Sequence, residues 1–247
     1  MHITNVETTH KTKTNGVIEL LRCAKPLLFQ NDDVQFRFSI RGTCFLARFE
    51  SRYYAITAKH CLKGFPYESV RIRIVPGELD FLSLKTLTLP KETDGDFSDL
   101  AFFEIRHNNL PSDVLSSKNF LSLSEGDERG VDKNEILAVV GHPSELNSID
   151  YKSIDIRTQG FSVDGRYAGP AEDEFCSIIR FNQLSPIKDM DGLSGSPVLA
   201  FREIRDAVYT NHFAGVLIRG STASGTGRFI NSSVVIHALK HLTATLH

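Results

Sequence analysis

Short runs rich in β-branched and aromatic residues recur along the chain between turn formers. They are Cys44 to Phe49, Tyr53 to Thr57, Val70 to Val75, Leu100 to Ile105, Ile136 to Val140, Val198 to Phe201 and Phe213 to Ile218. Such runs predict strands. They do not alternate regularly with helical patterns of about 10 to 15 residues, as a parallel α/β sheet would require, so an all-β, antiparallel chain is expected. Near the end, Val235, Leu239 and Leu242 recur at helical spacing behind Asn231, Ser232 and Ser233, which predicts one short capped C-terminal helix. From Leu123 to Asn134 the sequence turns polar, through Ser124, Glu125, Gly126, Asp127, Glu128, Arg129 and Gly130. That composition suits a solvated connection and places a boundary there, between residues 1–125 and 126–247.

Composition narrows the function without naming it. The 247 residues suffice for a sizeable core, and 41% hydrophobic with 23% charged is ordinary for a globular chain. Lys plus Arg number 28 against 30 for Asp plus Glu, a formal charge of −2 that offers no general attraction to nucleic acid or anionic membrane. The first apolar run, Val17 to Phe29, is broken by Glu19, Arg22 and Lys25, unlike a signal peptide, and no segment reaches membrane-spanning length. A cytoplasmic protein is the expectation. Cys23, Cys44, Cys61 and Cys176 contain no CxxC pair, which argues against a zinc or redox motif and leaves reduced thiols as the default. No metal or other cofactor is expected.

Three segments carry candidate chemistry. The apolar run Tyr53 to Ala58 ends in Lys59-His60-Cys61; Ser98-Asp99 stands directly before Leu100 to Phe103; and Ser194 lies in the glycine-flanked Asp191-Gly192-Leu193-Ser194-Gly195-Ser196-Pro197. Singly each has an ordinary reading, as a strand-end histidine, a turn-capping aspartate and a tight turn. Together they form a set. A serine hydroxyl needs a base to take its proton as it attacks, a histidine has the fitting ordinary pKa, and an aspartate can hold the imidazole's tautomer.

In the order His, Asp, Ser, these segments resemble the signatures of the trypsin-like (chymotrypsin-fold) serine peptidases, as in bacterial-type trypsin-like peptidase domains. Thr57-Ala58-Lys59-His60-Cys61 is similar to the family's Thr-Ala-Ala-His-Cys, Asp99-Leu100-Ala101 to its Asp-Leu-Ala, and Gly192 to Pro197 to its Gly-Asp-Ser-Gly-Gly-Pro. Gly42 to Leu46 resembles the strand before the histidine, and Gly215 to Gly220 the strand lining the substrate cleft. The resemblance implies two packed six-stranded antiparallel β-barrels, the first holding His60 and Asp99 and the second Ser194. It implies hydrolysis of protein or peptide substrates through a His60-Asp99-Ser194 triad, with the imidazole between the hydroxyl and the carboxylate. The oxyanion hole would be the N–H groups of Gly192 and Ser194.

Departures from the pattern matter too. Leu193 stands where secreted relatives carry an aspartate that pairs with a freshly cut N-terminus, so activation by cutting, as by trimming to near Asn15, is not expected. Another restraint, such as a regulatory protein partner or a narrow substrate range, then follows. The resemblance also raises a Cys44–Cys61 bridge against the alternative of free thiols. The primary pocket is implied to involve Lys188, Asp189, Ile218, Arg219 and Gly220. Lys188 at its base would favour acidic side chains and Asp189 basic ones, while Gly220 and Gly227 at the walls would leave it open. Asp96 is an alternative to Asp99; His142 reads as a turn residue and His212 as core or surface. An α/β-hydrolase has its triad in the order Ser, Asp, His and does not fit. A catalytically silent double barrel, kept as a binding or regulatory module, is the rival.

Overall fold

The computed structural model describes residues 21–73, 81–88, 95–106, 114–115, 119–133, 135–153, 155–205 and 208–245. The first half forms strands β1 (Ala24–Gln30), β2 (Phe38–Phe49), β3 (Arg52–Ala58), β4 (Val70–Arg71), β5 (Leu84–Thr88), β6 (Leu100–Ile105) and β7 (Leu121–Leu123). The second forms β8 (Ile136–Gly141), β9 (Ser148–Asp150), β10 (Asp155–Arg157), β11 (Phe161–Pro170), β12 (Cys176–Phe181), β13 (Pro197–Arg205), β14 (Val208–Ser221) and β15 (Thr226–Asn231), then helix α1 (Ser232–Thr245).

Strands β11-β12-β15-β14-β13-β8 close into a six-stranded antiparallel barrel. The first half is a curled, half-barrel sheet ordered β4-β1-β2-β3-β6-β5, and β7 joins it parallel to β2. Two complete barrels, antiparallel throughout, were expected; one barrel is closed. Among the described residues, the edge strand β4 has two residues, and the chain beyond it makes an isolated bridge, Arg73 with Phe81. The predicted strand Val70 to Val75 shrinks accordingly, and its last two residues lie outside those described. A separate hairpin is formed by β9 and β10.

One apolar core runs through both halves. Leu46, Ala55 and Phe102 from the curled sheet share a cluster with Val140, Phe213 and Ile230 from the barrel, and the Phe45 and Phe213 rings lie 5.6 Å apart. Helix α1 adds Val235, Ile236 and Leu239, all fully buried, each worth about 1.5 to 3 kcal/mol of burial. Among the described residues no helix is long and apolar enough to cross a membrane.

Most of the described polar residues from Leu123 to Asn134 are exposed, as the composition suggests, and Asp127 is the exception. Asp127 is buried: its carboxylate accepts from the Ser124 N–H at 2.8 Å and from the Phe213 N–H at 3.1 Å, and its carbonyl accepts from Ser232 Oγ. The connection is thus pinned to β14 and to the start of α1.

Candidate active site

Strand register brings His60 to Asp99. Antiparallel β3 and β6 pair Ala58 with Leu100, so the end of β3 lies beside the start of β6. His60 falls two residues past the one and Asp99 just before the other. The main chain closes the corner, with Lys59 N–H donating to the Asp99 carbonyl at 3.2 Å. The Asp99 carboxylate then holds the histidine twice: Oδ1 accepts from the His60 N–H at 2.8 Å, and Oδ2 lies 2.6 Å from Nδ1. Asp99's hydrogen bond is the main reason that the imidazole's pKa is pushed up to about 10; contact with Cys61 adds to it and partial burial opposes it. The alternative acid, Asp96, instead pairs with Arg219 at 2.8 Å and with Arg228.

The Ser194 turn is held by glycine geometry and by the facing half. Gly192 and Gly195 have φ of +89° and +88°, a region that other residues rarely enter. Any Cβ at 195 would collide with Thr43 O and Thr57 Oγ1. Gly195 N–H donates to the Leu217 carbonyl at 2.7 Å and Leu217 N–H to the Ser196 carbonyl at 2.9 Å, extending the β13–β14 ladder to the turn. From β2, Thr43 N–H donates to the Ser194 carbonyl at 2.9 Å and Thr43 Oγ1 to the Gly192 carbonyl at 2.7 Å. Leu193 is fully buried among Leu137, Val163, Met190 and Val198, as expected of an apolar residue there.

His60, Cys61, Gly192 and Ser194 line one cleft of about 480 Å³, with Ser39, Ile40, Arg41, Gly42, Phe65, Ser144 and Asp191. Sequence reasoning missed Ser39, Arg41, Phe65 and Ser144, because no local pattern marks residues that meet only through the sheet's curl. Among the described residues, the N–H groups of Gly192 and Ser194 donate to no protein acceptor. The Ser194 hydroxyl does not bond to His60; it donates to the Ile218 carbonyl at 3.0 Å. His60 Nε2 has Cys61 Sγ at 3.8 Å.

The residues implied for a primary pocket, Lys188, Asp189, Ile218, Arg219 and Gly220, are not among those lining this cleft. Lys188 and Asp189 are exposed, and each is used locally: Lys188 N–H donates to Glu145 Oε1 at 2.5 Å, and Asp189 Oδ1 accepts from the Asp191 N–H at 2.9 Å. Gly220 and Gly227 were expected to leave room for a long side chain. Instead a Cβ at Gly220 would meet the Met190 methyl at 2.7 Å, and one at Gly227 would meet Leu217 and Phe181 at 2.9 Å. Gly227 is buried, whereas Gly220 itself is exposed.

The remaining residues are structural. His142 is buried behind the Ser194 turn, its N–H donating to Thr43 Oγ1 at 2.8 Å, and burial pushes its pKa down to about 4. His212, on β14, is buried against the connection, where Arg129 Nη2 donates to Nδ1 at 2.6 Å and Nε2 faces the Gly130 carbonyl at 3.2 Å. All four cysteines are free thiols, so Cys44 and Cys61 are not bridged.

The chain matches no protein-family model and no curated protein.

Proposed function

We propose that the protein is a serine endopeptidase of the trypsin-like kind, with His60, Asp99 and Ser194 as its triad and the curled first half as a partner barrel left open. One observation carries this reading: the Asp99-held His60 and Ser194 line one cleft together with Gly192, and among the described residues the N–H groups of Gly192 and Ser194 have no protein acceptor. In that geometry neutral His60 takes the proton of Ser194 as Oγ bonds to the scissile carbonyl carbon. The N–H groups of Gly192 and Ser194 receive the negative oxygen. His60 then gives the proton to the leaving amine, and water, deprotonated in the same way, releases the acyl group from Ser194. No cofactor enters this scheme, and the substrate is a protein or peptide.

A silent binding module is the second reading, favoured by the Ser194 hydroxyl resting on the Ile218 carbonyl. That bond is reversible. A rotation about one side-chain bond re-aims the hydroxyl, and catalytic hydrogen bonds often tighten only once substrate is bound. Peptide hydrolysis by the intact chain, set beside Ser194→Ala and His60→Ala, separates the two. Turnover that falls by about 10⁴-fold or more in both variants supports the peptidase, since triad members act as a unit. Equal turnover in all three proteins, or none in any, favours the module.

A further inference from the structure

Two cations near the Ser194 turn are in different states. Arg219 is neutralised, its Nη2 paired with Asp96 Oδ1 at 2.8 Å while Arg228 takes the other oxygen. Arg41 is exposed, lines the cleft with His60 and Ser194, and pairs with no carboxylate among the described residues. Its head group is nonetheless held. Nη1 donates to the Lys63 carbonyl at 3.1 Å, and the guanidinium carbon stands 5.5 Å from the centroid of the Phe65 ring, a cation–π distance. Phe65 is itself fixed, stacked on buried Phe29 with centroids 4.2 Å apart.

A guanidinium held on one edge loses little freedom when a ligand takes the remaining N–H groups, and its planar fork fits a carboxylate. Asp191 borders the same cleft from the turn before the nucleophile, so the cleft carries one charge of each sign besides the His60–Asp99 pair. An entering carboxylate is drawn to Arg41 and repelled by Asp191, which fixes where it sits.

We propose that Arg41 is a specificity-determining residue and that the cleft takes an acidic side chain, Glu or Asp, of a bound peptide with its carboxylate on the Arg41 guanidinium. This rests on the cleft being the peptide site, but not on Ser194 being reactive. Binding is therefore read on the full chain carrying Ser194→Ala, by fluorescence anisotropy of short labelled peptides that differ only in Glu, Gln or Lys at one scanned position. At one position Glu binds about tenfold more tightly than Gln, and the advantage shrinks as salt is raised. Arg41→Ala abolishes that advantage, and Arg41→Glu turns the preference to Lys, a reversal that misfolding does not produce. No position at which Glu outbinds Gln, or an advantage undiminished in Arg41→Ala, overturns the proposal. Failure of the wild-type chain to hydrolyse peptides would defeat the catalytic reading alone, because this binding is measured without the hydroxyl.

Discussion

The Ser194 hydroxyl donates to the Ile218 carbonyl oxygen at 3.0 Å and not to His60. With Asp99 holding its pKa up to about 10, the imidazole is cationic at neutral pH and has no lone pair on Nε2 to accept the hydroxyl proton. The Ile218 carbonyl, being neutral, accepts from the hydroxyl whatever the charge on His60.

The pH profile follows from that charge. If His60 is the base, kcat/KM of the free enzyme rises with pH as the imidazolium loses its proton, so the acid limb lies above 6.5, toward 10. Asp99→Asn removes the main cause of the elevation: the limb moves down, and turnover falls on the order of 10⁴-fold as the tautomer is lost. An acid limb at or below pH 6.5 in the wild-type chain contradicts this account of the His60–Asp99 pair.

Stability changes with pH on two sides, with opposite signs. His142 is neutral in the fold and its pKa is lowered to about 4, so below about pH 6.5 the unfolded chain binds the extra proton and stability is lost as pH falls toward 4. The shift corresponds to about 3 kcal/mol at full effect. His60 is raised, so its contribution is complete below 6.5 and is lost as pH rises toward 10. Urea midpoints measured between pH 4 and 10 test this. In His142→Gln the acid side flattens; an acid side as steep as in the wild type assigns the loss to other groups.

Thr43 joins the two halves at the nucleophile. Its hydroxyl donates to the Gly192 carbonyl at 2.7 Å and accepts from the His142 N–H at 2.8 Å, and its own carbonyl accepts from Thr57 Oγ1 at 2.6 Å. Thr43→Val keeps the shape and leaves the buried His142 N–H unpaired, at about 1 to 3 kcal/mol, and the part-buried Gly192 carbonyl unpaired at a smaller cost. Thermal unfolding reads the loss. Thr43→Ser keeps the hydroxyl and retains most of the stability; equal melting of Thr43→Val and the wild type would show that these bonds contribute nothing.

The burial of Leu193 predicts that activity needs no cutting of the chain. The leucine is fully buried in the barrel's apolar cluster, where an aspartate would need a partner for its charge. Asn15, the point to which trimming was considered, lies outside the described residues. Chain verified uncut by intact mass is expected to be as active as chain trimmed to begin near Asn15. Activity seen only after trimming would mean that an acid such as Asp191 or Asp189 pairs with the new terminus.

The legible parts of the sequence were those in which local pattern and burial agree. Tyr53 to Thr57 sits within β3, Leu100 to Ile105 coincides with β6, and the helix follows Val235, Leu239 and Leu242. Strand β11 was missed because Asp164, Gly165 and Gly169 interrupt its run and half its residues face outward. Asp127 was read as solvent-facing because composition does not reveal that Phe213 and Ser232 meet it from more than 80 positions away. The His60–Asp99 pairing was legible only through the resemblance of the two segments to the trypsin-like signatures; strand register then brings the two residues together. Arg41 and Phe65 were not legible, since only the curl of the sheet brings them to Ser194.

The most direct measurement of the central claim is the mass of the intact protein after reaction with a fluorophosphonate, followed by mapping of the modified peptide. An activated serine displaces fluoride and keeps the phosphonyl group. The account predicts one phosphonyl group per chain, on Ser194, formed faster as pH rises above neutrality and absent in Ser194→Ala and His60→Ala. A wild-type chain that stays unmodified throughout that pH range, or that is modified at a residue other than Ser194, would contradict it.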